Sequence, residues 1–483
     1  MNTLDQMSLF CAERNGTFSR WVKREGDTLD DLIREQAEKI RRNREIAPLL
    51  SPEDFFTRVR EHVAERLGEA DARRAEQATR LGTVCTADHH GGLYCAQTFQ
   101  GNLLFGEILK ELGNRDDIIP IMPGGQVELD SSTFARGICT YSDREKKGRL
   151  PIFPEKPCAR IACCTPAITP EQLARFRNRF VRTKQPGKLE ETLDDLLRSV
   201  YETEEVLGSR RFEDQTTRIG AALSRKLFRD RGPLLVYMEM ETLTLPLLIR
   251  EIREGTSPLA RMLLDPGVRR RMNEIPLPDG SFLSQFLFRT ADAHGHKILL
   301  TLTGDGRLTG KDWHGDAVAL DADPEALIDM LQTGKLIPGI LTIAMMTFFE
   351  RGITWLGGVF QTQYLPGWQQ GLTALMKMTG QEAAAETIAR YDCTGYVCGP
   401  MSALFQGDGF AVCAGPVECL MEKADYASLA AAMRKTGIPD AHRIGITEMF
   451  DDLAGRDDRW DGWYRSATEA LDQRYPENVI AHG

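Results

Sequence analysis

Residues 83–92 read TVCTADHHGG, an apolar run of strand length followed by a loop with two histidines and two glycines. Residues 99–112 then carry apolar side chains at helical spacing, and residues 117–122 form a second strand-like run. A strand, a loop, a helix and a second strand in this order make one β-loop-α-β unit, and such units build parallel sheets. This stretch therefore predicts an α/β fold.

The same alternation continues along the chain. Residues 232–238 form a short apolar run typical of a buried strand, residues 243–253 have helical spacing, and residues 353–358 form a strand that ends in glycines. Residues 336–339 are expected to open a helix, and residues 365–378 to form another. Strands that alternate with helices predict a parallel, doubly wound core.

Composition and periodicity divide the chain into segments. Charged residues with apolar side chains at helical spacing predict an N-terminal helical segment over residues 1–80. Residues 81–380 carry the α/β core, and alternating strands at residues 280–330 predict an inserted antiparallel hairpin subdomain. Residues 381–483 are expected to form a C-terminal α/β or helical extension.

The overall composition argues against several classes of function. The 483 residues are 42% hydrophobic, with a net charge of −10 and scattered basic residues, so no basic stripe for a nucleic acid is present. No apolar stretch reaches the length of a membrane helix. Eleven cysteines without regular spacing favour free thiols in a reduced environment. We expect a cytoplasmic protein that acts on a small molecule, without nucleic acid or membrane partners, with a homodimer as the candidate assembly.

The loop after the first core strand carries the strongest candidate site, which comprises Asp88, His89, His90, Gly91 and Gly92. In open parallel sheets, ligands bind beyond the carboxyl ends of the strands. Imidazoles exchange protons near neutral pH, a carboxylate can orient them or bind a metal, and glycines allow a ligand to approach the backbone. We predict that the aspartate and the histidines are catalytic and that the glycines bind substrate. The alternative is a polar turn whose histidines are only hydrogen-bonded.

Neighbouring elements supply further candidate substrate-binding residues, namely Asn102, Arg136, Gly357, Gly358, Gln361 and Tyr364. An arginine near hydroxyl groups suits a carboxylate or phosphate, although a solvated surface charge is the alternative. The two glycines after a buried strand predict either a ligand-facing turn or close packing of a helix. Because loops after neighbouring strands border one crevice, Arg136 and Gln361 are expected to meet the substrate across one cavity.

The order of these pieces also matches a known pattern. Residues 89–93, HHGGL, align with a QQxGL loop of that pattern, and residues 118–121, IIPI, align with its VIPI strand. Residues 227–236 are similar to a helix that ends in glycine before a buried strand, and residues 336–358 to a segment that ends in a glycine-rich turn. In this order the pieces resemble the cysteine ligase family of bacillithiol biosynthesis. The family's glutamines are replaced by histidines here, and its acidic cluster and C-terminal coiled coil are missing.

This resemblance implies a Rossmann-like core and a condensation or ligation between an amine or thiol nucleophile, such as an amino acid, and a small polar acceptor. The leading hypothesis is a C-N or C-S bond-forming enzyme, ligase-like or transferase. In it His89 or His90 is the general base and Asp88 orients it, with ATP or another nucleotide as candidate cofactor and no metal ligand assigned. One alternative is a metal-dependent hydrolase or lyase in which Asp88, His89 and His90 are ligands. Another is a small-molecule binding module without catalysis.

Overall fold

The computed structural model describes residues 3–89, 95–115, 117–129, 136–140, 148–153, 160–182, 187–229 and 231–480. The predicted residues His90, Gly91 and Gly92 lie outside these ranges. No helix among the described residues has both the length and the hydropathy needed to cross a membrane.

Helices and strands both occur throughout the described residues. The α-helices are α1 (Thr3–Arg14), α2 (Gly16–Trp21), α3 (Leu29–Arg44), α4 (Glu53–Leu67), α5 (Glu69–Thr79), α6 (Ala96–Glu111), α7 (Pro170–Phe180), α8 (Lys188–Leu196), α9 (Glu204–Leu207), α10 (Phe212–Phe228), α11 (Met240–Glu254), α12 (Pro258–Leu264), α13 (Pro266–Met272), α14 (Pro324–Gln332), α15 (Ile340–Ala344), α16 (Gln361–Met378), α17 (Glu382–Arg390), α18 (Pro416–Glu422), α19 (Tyr426–Lys435), α20 (Ile438–Leu453) and α21 (Trp463–Arg474). The strands are β1 (Thr83–Cys85), β2 (Ile118–Ile121), β3 (Gly137–Thr140), β4 (Gly148–Pro151), β5 (Leu234–Tyr237), β6 (Phe288–Ala291), β7 (Lys297–Leu302), β8 (Arg307–Lys311), β9 (Ala317–Asp321), β10 (Ile337–Pro338), β11 (Thr354–Gly358), β12 (Tyr396–Cys398), β13 (Leu404–Gln406) and β14 (Ala411–Cys413). Short π-helical turns occur at Leu197–Tyr201 and Met345–Phe349.

A five-stranded parallel sheet lies among the helices, in the order β12-β11-β1-β2-β5. The first strand is central: the chain adds β2 and β5 on one side of it and later returns to add β11 and β12 on the other. The direction of winding therefore reverses between β1 and β11, which makes this boundary the topological switch point of the sheet. The prediction of a mixed α/β fold with a parallel sheet is confirmed, and the strand order is compatible with a Rossmann-like core.

Apolar side chains that alternate along each strand bury both faces of this sheet. On β1 and β11, Val84 and Trp355 join one core cluster, whereas Cys85 and Leu356 join the other. Helices α6 and α10 contribute to the cluster on one face, and α4 and α11 to the cluster on the other. Strands buried on both sides need such continuous apolar runs, which is why the sequence reveals them.

A second, antiparallel sheet has the order β10-β6-β7-β8-β9. Residues 336–339 do not open a helix as expected, because Ile337–Pro338 pairs with β6 and the helix begins only at Ile340. Proline lacks an N-H donor, so it is tolerated in an edge strand such as β10. This pairing places Arg289 and Phe288 of β6 beside Ile337 and Pro338, directly before α15.

Candidate functional site

A cavity of about 640 Å³ opens beyond the carboxyl ends of β1 and β11, at the topological switch point. We call it the switch-point cavity. Its walls come from the loops after both strands, from the starts of α6 and α16, and from the region of the antiparallel sheet. The lining residues are Thr86, Ala87, His89, Gln97, Thr98, Val127, Asp279, Phe286, Arg289, Ile340, Gly358, Val359, Phe360, Gln361, Tyr364, Trp368 and Cys398.

The two glycines at the end of β11 differ in what surrounds them. Thr86 Oγ1 donates a hydrogen bond of 2.7 Å to Gln361 Oε1, and Gln361 Nε2 donates one of 3.1 Å to the carbonyl of Trp355. A Cβ at Gly357 would lie 2.1 Å from Gln361 Oε1, whereas a Cβ at Gly358 would have no atom within 4 Å. Gly357 is therefore required by packing, and Gly358 borders open space in the cavity.

Gln361 and Tyr364 line the cavity from the first two turns of α16, which begins four residues earlier than the sequence predicts, at Gln361 rather than at residue 365. The Gln361 amide is held by Thr86 and the Trp355 carbonyl, so its role is to position the glycine turn. The hydroxyl of Tyr364 has no hydrogen-bond partner among the described residues, and burial raises the pKa of this phenol above the usual value. Its hydroxyl is therefore available to a ligand.

Asp88, three residues after the end of β1, is buried and is held by two other elements. Its Oδ2 accepts hydrogen bonds from Tyr237 Oη on β5 at 2.9 Å and from Asn102 Nδ2 on α6 at 3.2 Å. Asn102 Oδ1 in turn accepts a 3.4 Å hydrogen bond from Cys85 Sγ. Burial, followed by the charge of Asp88, raises the pKa of Tyr237 well above its usual value, so the phenol remains a donor. Asn102, predicted to bind substrate, instead fixes this carboxylate and does not line the cavity.

His89 lines the cavity next to this network. Its side chain is partly exposed, and desolvation by the surrounding protein lowers its pKa from 6.5 to about 4. The imidazole is therefore neutral at physiological pH, as a proton acceptor must be.

Arg136 lies away from the switch-point cavity. It stands just before β3 with a φ of 57°, and its amide donates a 3.2 Å hydrogen bond to the carbonyl of Leu129. The loop after β2 contributes Val127 to the cavity instead. Arg136 and Gln361 therefore do not line this cavity together, and contact of Arg136 with a substrate stays a prediction.

Arg289 is a lining residue that the sequence interpretation missed. It is 6% exposed and projects from β6, in a hairpin region that was expected to form a separate subdomain. An arginine within the apolar run Leu287-Phe288-Arg289 was the available signal, since a charged residue on a buried strand needs a specific partner. Phe286, Tyr364 and Trp368 form an aromatic wall beside it, with ring centroids 5.4 Å apart for Phe286 and Trp368 and 4.7 Å apart for Tyr364 and Trp368.

A second cavity of about 500 Å³ contains none of the predicted site residues. Cys163, Cys164, Glu239 and Glu241 are among its lining residues. Burial raises the pKa of Glu241 to about 7, while a hydrogen bond from Cys163 is the main cause that lowers the pKa of Cys164. The switch-point cavity remains the candidate site because it combines the topological position with His89.

Two helices, α6 and α16, begin at the edge of the switch-point cavity, where their N-terminal residues Gln97, Thr98 and Gln361 line it. Helix N-termini favour negative charge and suit the phosphates of a nucleotide. Within the described ranges, no group of three His, Cys, Asp or Glu side chains is arranged to hold a metal ion. No family model, curated protein or solved structure matches the chain.

Proposed function

We propose that this chain is a cytoplasmic enzyme of small-molecule biosynthesis that forms a C-N or C-S bond in the switch-point cavity. The observation that carries the proposal is the meeting of His89, from the loop after β1, with Gly358, from the turn after β11, in one cavity at the switch point. This is the position at which doubly wound α/β enzymes bind their ligands. The proposal includes a Rossmann-like core with the antiparallel sheet as an insertion, and a homodimer as the assembly.

In the proposed reaction, an amine or thiol nucleophile attacks an electrophilic carbon of the acceptor, and the acceptor's leaving group departs. His89, neutral at physiological pH, takes the proton of the nucleophile. An anionic ligand in the cavity favours this step, because a nearby negative charge raises the pKa of an imidazole. Asp88, held by Asn102 and Tyr237, keeps the loop in position.

A nucleotide such as ATP is the cofactor that best fits the walls of the cavity. The N-terminal ends of α6 and α16 would receive its phosphates, and Gly358 leaves space for their approach. Bound there, ATP would supply the phosphoryl or adenylyl group that activates an oxygen of the acceptor, so that phosphate or AMP would be the group that departs.

The test is turnover by His89→Ala and His90→Ala, measured by mass spectrometry with amino acids and thiols as nucleophiles and carboxylic acids plus ATP as acceptors. At least one of these variants should lose roughly 100-fold or more in kcat while its melting temperature stays unchanged. His294→Ala, at an exposed histidine of the hairpin region, is the matched control and should retain full activity. Full activity in both loop variants would refute the catalytic assignment, and ligand binding without product would indicate a binding module.

A further inference from the structure

The guanidinium of Arg289 has one edge that makes no hydrogen bond with any described residue. Its Nη1 donates to the carbonyls of Gln285 and Phe288, both at 2.7 Å, which uses both hydrogens of that nitrogen. Nε and Nη2 have no acceptor among the described residues, although the side chain is buried. These two nitrogens present parallel N-H groups, the edge that binds a carboxylate or phosphate with two hydrogen bonds.

Arg289 also lacks the negative charge that accompanies the other buried arginines among the described residues. Arg351 forms ion pairs with Asp54 and Glu251. Arg269 is bonded only to backbone carbonyls, yet Asp265, Asp305 and Asp323 lie close enough to raise its pKa against the effect of burial. For Arg289, burial is the one cause that shifts the pKa, and it lowers the pKa to about 10. A buried, charged group without a counter-ion is costly, and a ligand that supplies the missing charge would remove this cost.

Asp279, which also lines the switch-point cavity, does not form an ion pair with Arg289. Asp279 is exposed, and its Oδ1 accepts hydrogen bonds from the amide and the hydroxyl of Ser281. No carboxylate of the described chain lies within ion-pair distance of Arg289. The free edge of the guanidinium therefore meets no carboxylate of the described residues and borders the switch-point cavity.

The walls next to Arg289 indicate what the anion is attached to. Phe286, Tyr364 and Trp368 pack together on one side of the cavity. A smaller cavity of about 390 Å³ continues along the same wall and shares Tyr364, Trp368 and Phe360 with the switch-point cavity. This space suits an apolar or aromatic body that extends away from the charged group.

We infer that Arg289 binds the carboxylate or phosphate group of a small molecule whose apolar body lies against Phe286, Tyr364 and Trp368. The inference rests on the proposed function, since it assigns the ligand class of the same site. It adds the antiparallel sheet to the site, because β6 carries the anion-binding side chain into a cavity otherwise built on the parallel sheet. Arg289 is thus a specificity-determining residue.

The experiment is isothermal titration calorimetry of the full chain with benzoate, phenyl phosphate, inorganic phosphate and neutral benzamide. We expect at least one of the two aromatic anions to bind, with benzoate favoured by a carboxylate site and phenyl phosphate by a phosphate site. Benzamide has the shape of benzoate without its charge and should bind roughly 10- to 100-fold more weakly than the anion. Inorganic phosphate should bind more weakly than phenyl phosphate, because it cannot contact the aromatic wall.

Arg289→Met should weaken binding of the aromatic anion by roughly 10- to 100-fold. Arg289→Lys keeps the charge but loses the paired N-H groups, so it should bind the aromatic anion with intermediate affinity. If Arg289→Met does not fold, the comparison of Arg289→Lys with the wild type tests the inference. Arg269→Met removes another buried arginine bonded to backbone carbonyls, outside the cavity, and should leave the affinity unchanged. Circular dichroism identifies the folded variants.

Equal affinity for the anion in the wild type, Arg289→Met and Arg289→Lys would overturn the inference, as would the absence of binding by every anion to the wild type. The outcome is separate from the test of catalysis. Anion binding that depends on Arg289, together with full turnover in His89→Ala and His90→Ala, would uphold the anion site and refute the catalytic role of the loop. Loss of turnover in the loop variants, together with an affinity that does not change in the Arg289 variants, would uphold the catalytic role of the loop and refute the anion site.

Discussion

Gly357 and Gly358 are adjacent in β11, yet a methyl group added to each would meet different surroundings. At Gly357 it would lie 2.1 Å from Gln361 Oε1 and 2.9 Å from Thr86 Oγ1. At Gly358 it would enter open space. Only the first position therefore controls the hydrogen bond that ties the end of β1 to the start of α16.

We expect Gly357→Ala to lower the free energy of unfolding by about 1 to 3 kcal/mol, because Gln361 and Thr86 must separate. Gly358→Ala, the matched control, should change that free energy by less than about 0.5 kcal/mol. Urea denaturation measures both. If both variants lost the same free energy of unfolding, the close contacts of Gly357 would not explain the loss.

The sequence could not separate these two roles. A pair of glycines after a buried strand is typical both of a ligand-facing turn and of close packing, and the local sequence does not say which glycine has which role. The difference arises from Thr86, far away in the sequence, whose hydroxyl meets Gln361 at the position where a Cβ of Gly357 would be. Arg289 was missed for a similar reason: alternation identifies its strand but not the element that the strand faces.

At the scale of elements, the buried carboxylate of Asp88 after β1 is held by a helix and a strand. Tyr237 at the end of β5 and Asn102 on α6 both donate to the buried carboxylate of Asp88. A buried carboxylate that loses a donor retains its desolvation cost without compensation. The position of the Asp88 carboxylate therefore depends on how α6 and β5 pack.

Tyr237→Phe should lower the free energy of unfolding by about 1 to 3 kcal/mol, since Asp88 loses its shorter hydrogen bond while the ring still fills its space. Tyr391→Phe is the control, because the Tyr391 hydroxyl is buried without a hydrogen-bond partner among the residues that the structure describes, and its removal should be neutral or stabilising. Guanidinium denaturation compares the two. A loss in Tyr237→Phe no larger than that in Tyr391→Phe would mean that the hydrogen bond to Asp88 contributes nothing measurable.

The strands that the sequence predicts are the ones with buried apolar runs. The predictions at residues 83–86, 117–122, 232–238 and 353–358 are confirmed within a few residues by β1, β2, β5 and β11. β12 was not predicted, because three residues between glycines and a proline resemble a loop. The order of the strands also lies beyond local sequence, since pairing β1 with β11 joins segments separated by most of the chain.

At the scale of the whole molecule, the buried histidines oppose stability in acid. His442 on α20 packs against Phe18 and Trp21, with ring centroids 4.8 and 5.2 Å away, and neither of its ring nitrogens has a hydrogen-bond partner in the described part of the chain. Desolvation lowers its pKa from 6.5 to about 3. His62 on α4 is buried in the same way, and its pKa is lowered too.

Because the unfolded chain binds a proton at His442 below about pH 6.5 and the folded chain does not until about pH 3, stability is lost as the pH falls through this interval. Between about pH 7.5 and pH 5, the wild type should lose roughly 2 kcal/mol more than His442→Leu. Urea denaturation at the two pH values measures this difference. His294→Leu, at an exposed site, should behave as the wild type, and identical pH dependence in His442→Leu and the wild type would contradict the assignment.

The edge strand β12 has a consequence for how the protein is made. β1, β2, β5 and β11 all leave the ribosome before Tyr396–Cys398, the strand that covers β11 and places Cys398 at the cavity. A nascent chain therefore carries an unpaired sheet edge throughout the synthesis of α16 and α17, and such an edge is a template for pairing with other chains. Co-translational chaperones that cover exposed sheet edges would act at this stage, and the cavity is complete only when Cys398 has emerged.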